Sequence, residues 1–190
     1  AQNIFLEKNL FDLIDVSEID SVYICGLEIE EKIGINIVEF LEKNSPAHCI
    51  LCPPGPRLTV IDPALTERIY KLSPVLHLNE TEALEVSGET DIRKAGAIYT
   101  EKSHNTVIIT LGEKGAIITT EKNEEIIAPN SYHPGRYHRS RRFPHRICDR
   151  LSEKGDSIPI AISKANRVSS AVVATSSALL PDEDFRKLNI

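Results

Sequence analysis

Two short segments carry residue types that could do chemistry together, and the first is Asn79-Glu-Thr-Glu82. It follows an apolar run and opens a segment with helical character, so Asn79 and Glu82 fall on one helical face. Such a pair can position a hydrated Mg²⁺ or the phosphates that it bridges, because Mg²⁺ keeps several waters and uses few direct carboxylates. The same two residues can also form a capping box at a helix start. Taken alone, the segment favours this structural role.

The second segment is Thr110-Leu-Gly-Glu-Lys-Gly115, a turn with two glycines at the end of a β-branched run. Glycines let backbone N–H groups approach phosphate closely, which makes Gly112 and Gly115 candidates for a phosphate-binding turn. The G-x-x-x-x-G-K-[ST] pattern does not occur, so this is not a P-loop. An ordinary hairpin turn explains the same residues, and taken alone that interpretation is favoured.

The cysteines show no pattern of a redox or zinc centre. Cys49 and Cys52 form a C-x-x-C inside the strand-like run from His48 to Cys52. Residues three apart in a strand point to opposite faces, so we expect both thiols to be reduced. A zinc site would need two further ligands at motif spacing, and none is recognisable.

The segments that position these residues alternate between strands and helices. We predict strands in the apolar runs at Val22, His48, Val75 and Thr106, each followed by a helical segment. The predicted helices are 28–43, 63–72, 80–86, 91–100 and 158 to about 178, and 115–119 and 125–127 are predicted to pair as strands. This alternation predicts an α/β fold of three layers with a mostly parallel sheet. Ligands of such sheets bind beyond the carboxyl ends of the strands, which is where Asn79 and Thr110 fall.

Composition narrows the class of protein. The 190 residues suit one domain, and the hydrophobic fraction of 41% is that of a globular chain. No apolar run is long enough for a membrane span, and no leader opens the chain, so we expect a cytoplasmic protein. The net charge of −6 argues against a nucleic-acid-binding protein, because that class is typically basic.

One segment differs from the rest. Residues 130–150 are rich in Arg and His, contain no Lys and show neither a helical nor a strand period. A solvated basic loop is the simplest interpretation, and an arginine-rich arm for nucleic acid is an alternative.

In order along the chain, these pieces resemble the ribokinase-like (PfkB) carbohydrate kinase family. Asn79 and Glu82 lie in a segment that matches its N-E-x-E-A, and Thr110 to Gly115 match its T-x-G-x-x-G turn. Three further segments are similar to that family's motifs: Ala1-Gln-Asn3, Cys52-Pro-Pro-Gly-Pro-Arg57 and Ala161-Ile-Ser-Lys-Ala-Asn166. Each match is weak singly, and five in order are fairly specific.

The resemblance implies ATP-dependent phosphorylation of a hydroxymethyl group on a sugar or nucleoside. It implies that Asn79 and Glu82 organise Mg²⁺ and the phosphates, with Glu82 as the residue nearest the metal. It implies that Thr110, Gly112 and Gly115 line the nucleotide groove and that Asn166 lies near the adenine. Family dimers often form through a small β-lid that has no counterpart here, so a homodimer is one alternative for the oligomeric state.

Two departures from the family pattern matter. The family's N-terminal part, with its G-G sugar-binding motif and small β-lid, has no counterpart here, so we expect a ribokinase-like core without the lid. The D-T-T-G-A-G-D motif, which supplies an anion hole and the catalytic base, is also absent. Segment 130–150 stands in its place, which makes a replaced or out-of-frame segment a third interpretation of it. The catalytic residue is therefore unassigned, and a non-catalytic nucleotide-binding α/β domain is the alternative to a kinase.

Overall fold

A computed structural model of the chain describes residues 11–19, 21–44, 48–52, 58–127, 157–164 and 186. The strands of these residues form one sheet, and their spatial order follows their order in the sequence. The strands are β1 Ser21–Cys25, β2 His48–Cys52, β3 Val75–Asn79, β4 Val107–Thr110, β5 Ala116–Thr119 and β6 Glu124–Ile127.

The four predicted apolar runs are neighbouring parallel strands, which confirms the predicted architecture. β1 pairs with β2, β2 with β3 and β3 with β4, in each case parallel. β5 and β6 then add to β4 as an antiparallel meander, with Thr110 opposite Ala116, so β4 continues into a hairpin and the helical segment predicted after it is wrong. The four parallel strands therefore end at one edge of the sheet, where Asn79 is the register partner of Thr110.

Helices connect the parallel strands. They are α1 Gly26–Glu30, α2 Gly34–Asn44, α3 Pro63–Lys71, α4 Glu80–Ser87 and α5 Ile92–Ser103, and residues 158–164 are also helical. The side chains of Asp62, Asn79 and Asp91 accept hydrogen bonds from the first-turn amides of α3, α4 and α5. These local N-caps explain why the helix starts could be predicted to within a residue.

The helix predicted over residues 28–43 is broken in two. The backbone of Glu31 is extended, with ψ 165°, and α2 restarts at Gly34. A Cβ on Gly34 would lie 2.1 Å from the Ile29 carbonyl oxygen, so glycine permits the tight approach of the two helices. Ile29 and Ile33 are both buried, which is why a helical period continued across the break.

Two apolar clusters cover the two faces of the sheet. On one face Leu76, Leu78, Val107 and Ile109 pack with residues of the connecting helices, Tyr99 of α5 among them. On the other face the cluster consists of Val75, Ile108, Ala116, Ile118, Ala161 and Ile162. The last two residues lie in the helical segment 158–164, so helices flank both faces and the fold has the predicted three layers.

Some sequence-based predictions fall outside the described residues. They concern segment 130–150, the loop 53–57, Asn166, the side chains of Cys49 and Cys52, and the rest of the predicted C-terminal helix. The C-x-x-C lies on β2, as predicted. Within the described ranges, the helices are too short or too polar to cross a bilayer.

Candidate functional site

The carboxyl ends of β3 and β4 bring the two chemistry-bearing segments together. Residues Val75 to Leu78 are buried, whereas Asn79 at the end of β3 is exposed. Thr110 ends β4 directly beside it, because the two residues are register partners. Neighbouring strands lie about 4.8 Å apart, so both side chains belong to one small surface.

Asn79 and Glu82 form a complete capping box at the start of α4. The Asn79 side-chain oxygen accepts a hydrogen bond of 2.9 Å from the Glu82 amide. The Glu82 Oε2 accepts one of 2.9 Å from the Asn79 amide. The capping box that the sequence favoured for this pair is therefore formed. It holds both side chains in fixed positions at this end of the sheet.

Glu82 combines this structural role with an unusual electrostatic setting. Burial raises the pKa of its carboxyl above the ordinary value of 4.5, and the nearby Glu85 adds to the rise. The hydrogen bond from the Asn79 amide acts in the opposite direction. An adjacent cation would favour the charged form, so the carboxylate is a suitable partner for a metal ion or its bound water.

The donor set at this edge fits a mostly hydrated metal. Among the described residues, no group of three or more His, Cys, Asp or Glu side chains could hold an ion. Glu82 uses Oε2 for the capping box, which leaves Oε1 for a direct or water-mediated contact. One carboxylate with several water ligands is an arrangement that Mg²⁺ accepts.

The Thr110 hydroxyl is already engaged within the sheet. Its Oγ1 donates to the Leu78 carbonyl oxygen over 3.2 Å, and the side chain is half-buried. A hydroxyl has one hydrogen and two lone pairs, so in this arrangement Oγ1 offers acceptor capacity to a ligand. A metal-bound water suits that capacity, whereas a phosphate oxygen would require the hydroxyl to turn away from Leu78.

The two glycines of the turn have different roles. Gly112 has a φ of +59°, and a Cβ placed on it would meet no atom within 4 Å, so this position faces open space. Gly115 is buried with a φ of +95°, and its amide donates to the Gly112 carbonyl oxygen. Its carbonyl oxygen accepts from the Leu111 amide. Gly115 therefore shapes the hairpin, and Gly112 is the glycine that a ligand could approach closely.

Lys114 and Glu80 were not singled out by the sequence patterns, yet they connect the two segments. The Lys114 Nζ lies 3.6 Å from the Glu80 Oε1, which links the turn after β4 to the first residue of α4. The sequence did show a lysine next to a glycine of the turn. The partner of that lysine could not be predicted, because it depends on which strands are neighbours in the sheet.

Tyr99 of α5 is a second residue that the sequence patterns missed. It is 1% exposed, and its hydroxyl has no hydrogen-bond partner among the described residues. Burial raises the pKa of the Tyr99 hydroxyl, and the charges of Tyr70 and Glu82 raise it further. The Tyr99 hydroxyl therefore lies within electrostatic range of Glu82.

The sequence was compared with family models, and one match decides the classification. Residues 3–132 match the model described as pfkB family carbohydrate kinase, which is more than half of the chain. The chain belongs to the pfkB family. Relatives of this pfkB chain include the ribokinase of Haemophilus influenzae, 27% identical over 99 residues, and that of Mus musculus, 30% identical over 125 residues. The matches cover 50% and 63% of this chain but only 30% and 37% of those ribokinases.

Solved structures of pfkB-type kinases share the fold. The ribokinase of Thermotoga maritima superposes with a TM-score of 0.73 at 18% identity, over 94% of this chain and 60% of that one. Aminoimidazole riboside kinase from Salmonella enterica, in complex with its riboside and an ATP analogue, gives 0.72 at 17% identity over 88% and 62%. Fructokinase from Vibrio cholerae, with fructose, ADP and calcium, gives 0.69 at 18% identity over 87% and 60%. The chain thus spans less than two thirds of each of these proteins.

Proposed function

We propose that this chain forms the nucleotide-binding part of an ATP-dependent kinase that phosphorylates a hydroxymethyl group of a sugar or nucleoside. The observation that carries the proposal is the pairing of Asn79 with Thr110 at the ends of two parallel strands. A capped helix follows the first strand and a glycine turn follows the second. Open α/β sheets bind ligands beyond this edge, and the family membership points to a phosphoryl donor there.

The residues at the edge suit the parts of phosphoryl transfer that a protein must supply, which are positioning and charge neutralisation. When bound, Mg²⁺ would neutralise phosphate charge. Glu82 would hold it directly or through water, and Asn79 would keep that carboxylate in place. The open side of Gly112 would accept the phosphates, while Thr110 would accept a hydrogen bond from metal-bound water. Asn166 is the proposed contact near the adenine.

A non-catalytic nucleotide-binding domain is the second candidate. It is favoured by the absence of the D-T-T-G-A-G-D motif from the sequence. The only acid in segment 130–150 is Asp149, and no glycine-rich sequence precedes it, so no catalytic base is assigned. The two candidates share nucleotide binding and differ in whether a phosphate acceptor is recognised.

The test begins with MgATP titrations of the chain, followed through the backbone amide NMR shifts of Asn79, Thr110 and Gly112. We expect weak binding at these residues that Glu82→Ala reduces further. Glu101→Ala, a change at an exposed position of α5, is the control that leaves binding unchanged. Absence of any MgATP-dependent shift at these amides would overturn both candidates.

The acceptor decides between the two candidates. The titrations are repeated with a panel of pentoses, hexoses and nucleosides, and ADP release is measured in a coupled assay. Tighter MgATP binding in the presence of one acceptor supports the kinase, and indifference to all of them supports the non-catalytic domain. We expect no measurable turnover from this chain alone, because loss of one anion-hole donor costs about 10²–10³ in rate. Acceptor-dependent ADP release that disappears in Glu82→Ala would show that expectation to be wrong.

A further inference from the structure

Lys114 is held at the candidate site by a contact between two elements that are distant in the sequence. It ends the short helical turn Gly112–Lys114 after β4, and Glu80 is the first residue of α4 after β3. The contact between Nζ and Oε1 measures 3.6 Å. Both residues thus lie at the same sheet edge as Asn79 and Thr110.

The ion pair is weak enough to be exchanged. The Lys114 side chain is 73% exposed and that of Glu80 is 41% exposed. Strong charge-assisted hydrogen bonds measure about 2.7–2.9 Å, so this pair is longer and is open to water. Exposed pairs of this kind contribute little to stability, so a more highly charged anion would displace the carboxylate.

The positive charge of Lys114 lies near two carboxylates that would repel a bound nucleotide. The first turn of α4 carries the carboxylates of Glu80 and Glu82. A nucleotide triphosphate that approaches this edge meets two like charges, which oppose binding unless cations compensate them. Bound Mg²⁺ would compensate part of that charge, and the Lys114 ammonium lies at the turn that the phosphates would approach.

We propose that Lys114 contacts the terminal phosphates of the bound nucleotide and that Glu80 competes with them for its ammonium group. The proposal rests on the proposed function, since it takes the nucleotide to bind beyond β3 and β4. It assigns opposite effects to two residues of one ion pair. Lys114 promotes triphosphate binding, and Glu80 restrains it when the site is empty.

The experiment measures the dissociation constants of ATP, AMP and adenosine at low salt for folded variants of the chain. Lys114→Ala should weaken ATP binding about tenfold, the effect of one hydrogen bond to a charged group, and leave adenosine unchanged. Lys114→Arg should retain most of the affinity. Glu80→Gln should strengthen ATP binding by roughly two- to fivefold, the range of an exposed ion pair.

The control variants come from the turn between β5 and β6. Glu121 forms an equally long contact with His104, at 3.6 Å, and its side chain is 61% exposed against 41% for Glu80. This turn lies at the opposite end of the sheet, because Val107, the first residue of β4, pairs with Thr119. Glu121→Gln and Lys122→Ala should leave every dissociation constant unchanged.

A double variant separates competition from simple repulsion. If Glu80 acts by holding Lys114, Glu80→Gln should have little effect on ATP binding in the Lys114→Ala background. Fully additive effects would overturn the competition. Equal weakening of ATP and adenosine by Lys114→Ala would overturn the phosphate contact. If the unaltered chain binds none of the three ligands, the proposed function and this inference both fail, whereas binding that is insensitive to Lys114 removes the inference alone.

Discussion

Asn79 and Thr110 are register partners at the last residues of two adjacent parallel strands. The capping box that begins at Asn79 and the glycine turn that follows Thr110 therefore share one sheet edge. The capping-box segment and the glycine turn each have an ordinary structural explanation when taken alone. In the folded chain their residues lie on one surface. Their juxtaposition is the basis for the proposal that a nucleotide binds here.

Replacement of Thr110 by valine should lower the free energy of unfolding by about 1 kcal/mol, the usual net value of one hydrogen bond. Valine keeps the shape of the side chain but cannot donate to the Leu78 carbonyl oxygen, as Thr110 does over 3.2 Å. Urea denaturation measures the difference. Thr110→Ser keeps the hydroxyl and should recover most of the loss, and equal stability of valine and threonine would show that the bond contributes nothing.

Asn79→Ala should destabilise the chain by about 1 kcal/mol, because it removes the N-cap of α4. The lost contact is the 2.9 Å hydrogen bond from the Glu82 amide to the Asn79 side chain. Asn79→Asp provides a carboxylate that can accept the same bond and should be nearly neutral. Amide exchange in the first turn of α4 should accelerate only in the alanine variant, and unchanged exchange there would contradict the prediction.

The carboxyl of Glu82 should make stability fall as the pH rises. Its pKa is raised in the folded chain, so the native state holds this proton more tightly than the unfolded state does. The associated stability is complete below pH 4.5 and is lost as the pH rises through the folded pKa. Glu82→Gln keeps an acceptor for the Asn79 amide but does not titrate.

The difference in unfolding free energy between Glu82→Gln and the unaltered chain should therefore shift in favour of glutamine as the pH rises from 4.5. Glu101→Gln, at an exposed position of α5, should show no comparable trend. A difference that is constant across this range would mean that the Glu82 pKa is not raised.

His77 on β3 should make the chain sensitive to acid. It is 8% exposed, and burial lowers its pKa from 6.5 to about 4. The unfolded chain takes up the proton first, so this contribution to stability is present above pH 6.5 and is lost as the pH falls towards 4. At 1.36 kcal/mol per pKa unit, the loss amounts to roughly 3 kcal/mol.

Urea midpoints between pH 7 and pH 4 measure the contribution of His77. The His77→Leu variant should have a flatter pH profile than the unaltered chain, whatever its absolute stability. His104→Asn is the matched control, since the His104 side chain is 70% exposed and this residue is the C-cap of α5 with a φ of +50°, which asparagine tolerates. An unchanged slope in His77→Leu would exclude a neutral buried histidine.

Gly96→Ala should destabilise the chain by about 1–3 kcal/mol, although alanine is the better helix former. A Cβ at this position of α5 would lie 2.6 Å from the Oγ1 of Thr119 on β5. The double variant Gly96→Ala/Thr119→Ala removes that oxygen and should recover most of the stability. Thermal unfolding of the two single variants and the double variant tests this, and purely additive losses would contradict the steric explanation.

The sequence determined the elements whose causes are local. The four parallel strands are short runs rich in apolar residues, and the helices between them leave few topologies other than a parallel sheet. Asn79 indicated a helix start from the sequence, and the structure adds Asp62 and Asp91 as caps of the same kind, each acting within three residues. The motifs, taken in order, also identified the family, which the match over residues 3–132 confirms.

Other features of the fold depend on how closely backbone segments approach one another and on the order of the strands. Neither can be inferred from the residue pattern. The period through Ile29 and Ile33 continues across the break between α1 and α2, because both residues are buried although Ile33 lies in the turn before α2. At the break, the Gly34 backbone packs closely against the Ile29 carbonyl oxygen of the preceding helix. The residue pattern does not reveal this close approach.

The candidate site divides in the same way. The sequence was enough to name five candidate residues: Asn79, Glu82, Thr110, Gly112 and Gly115. It was not enough to tell which of their polar groups remain available to a ligand. The Gly115 amide donates a hydrogen bond within the turn, and the Thr110 hydroxyl donates one to the Leu78 carbonyl oxygen of the neighbouring strand. The contact of Lys114 with Glu80 exists only because β3 and β4 are neighbours in the sheet. Local propensity acts over a few residues, whereas charge pairing and burial act through space, so only the tertiary structure decides them.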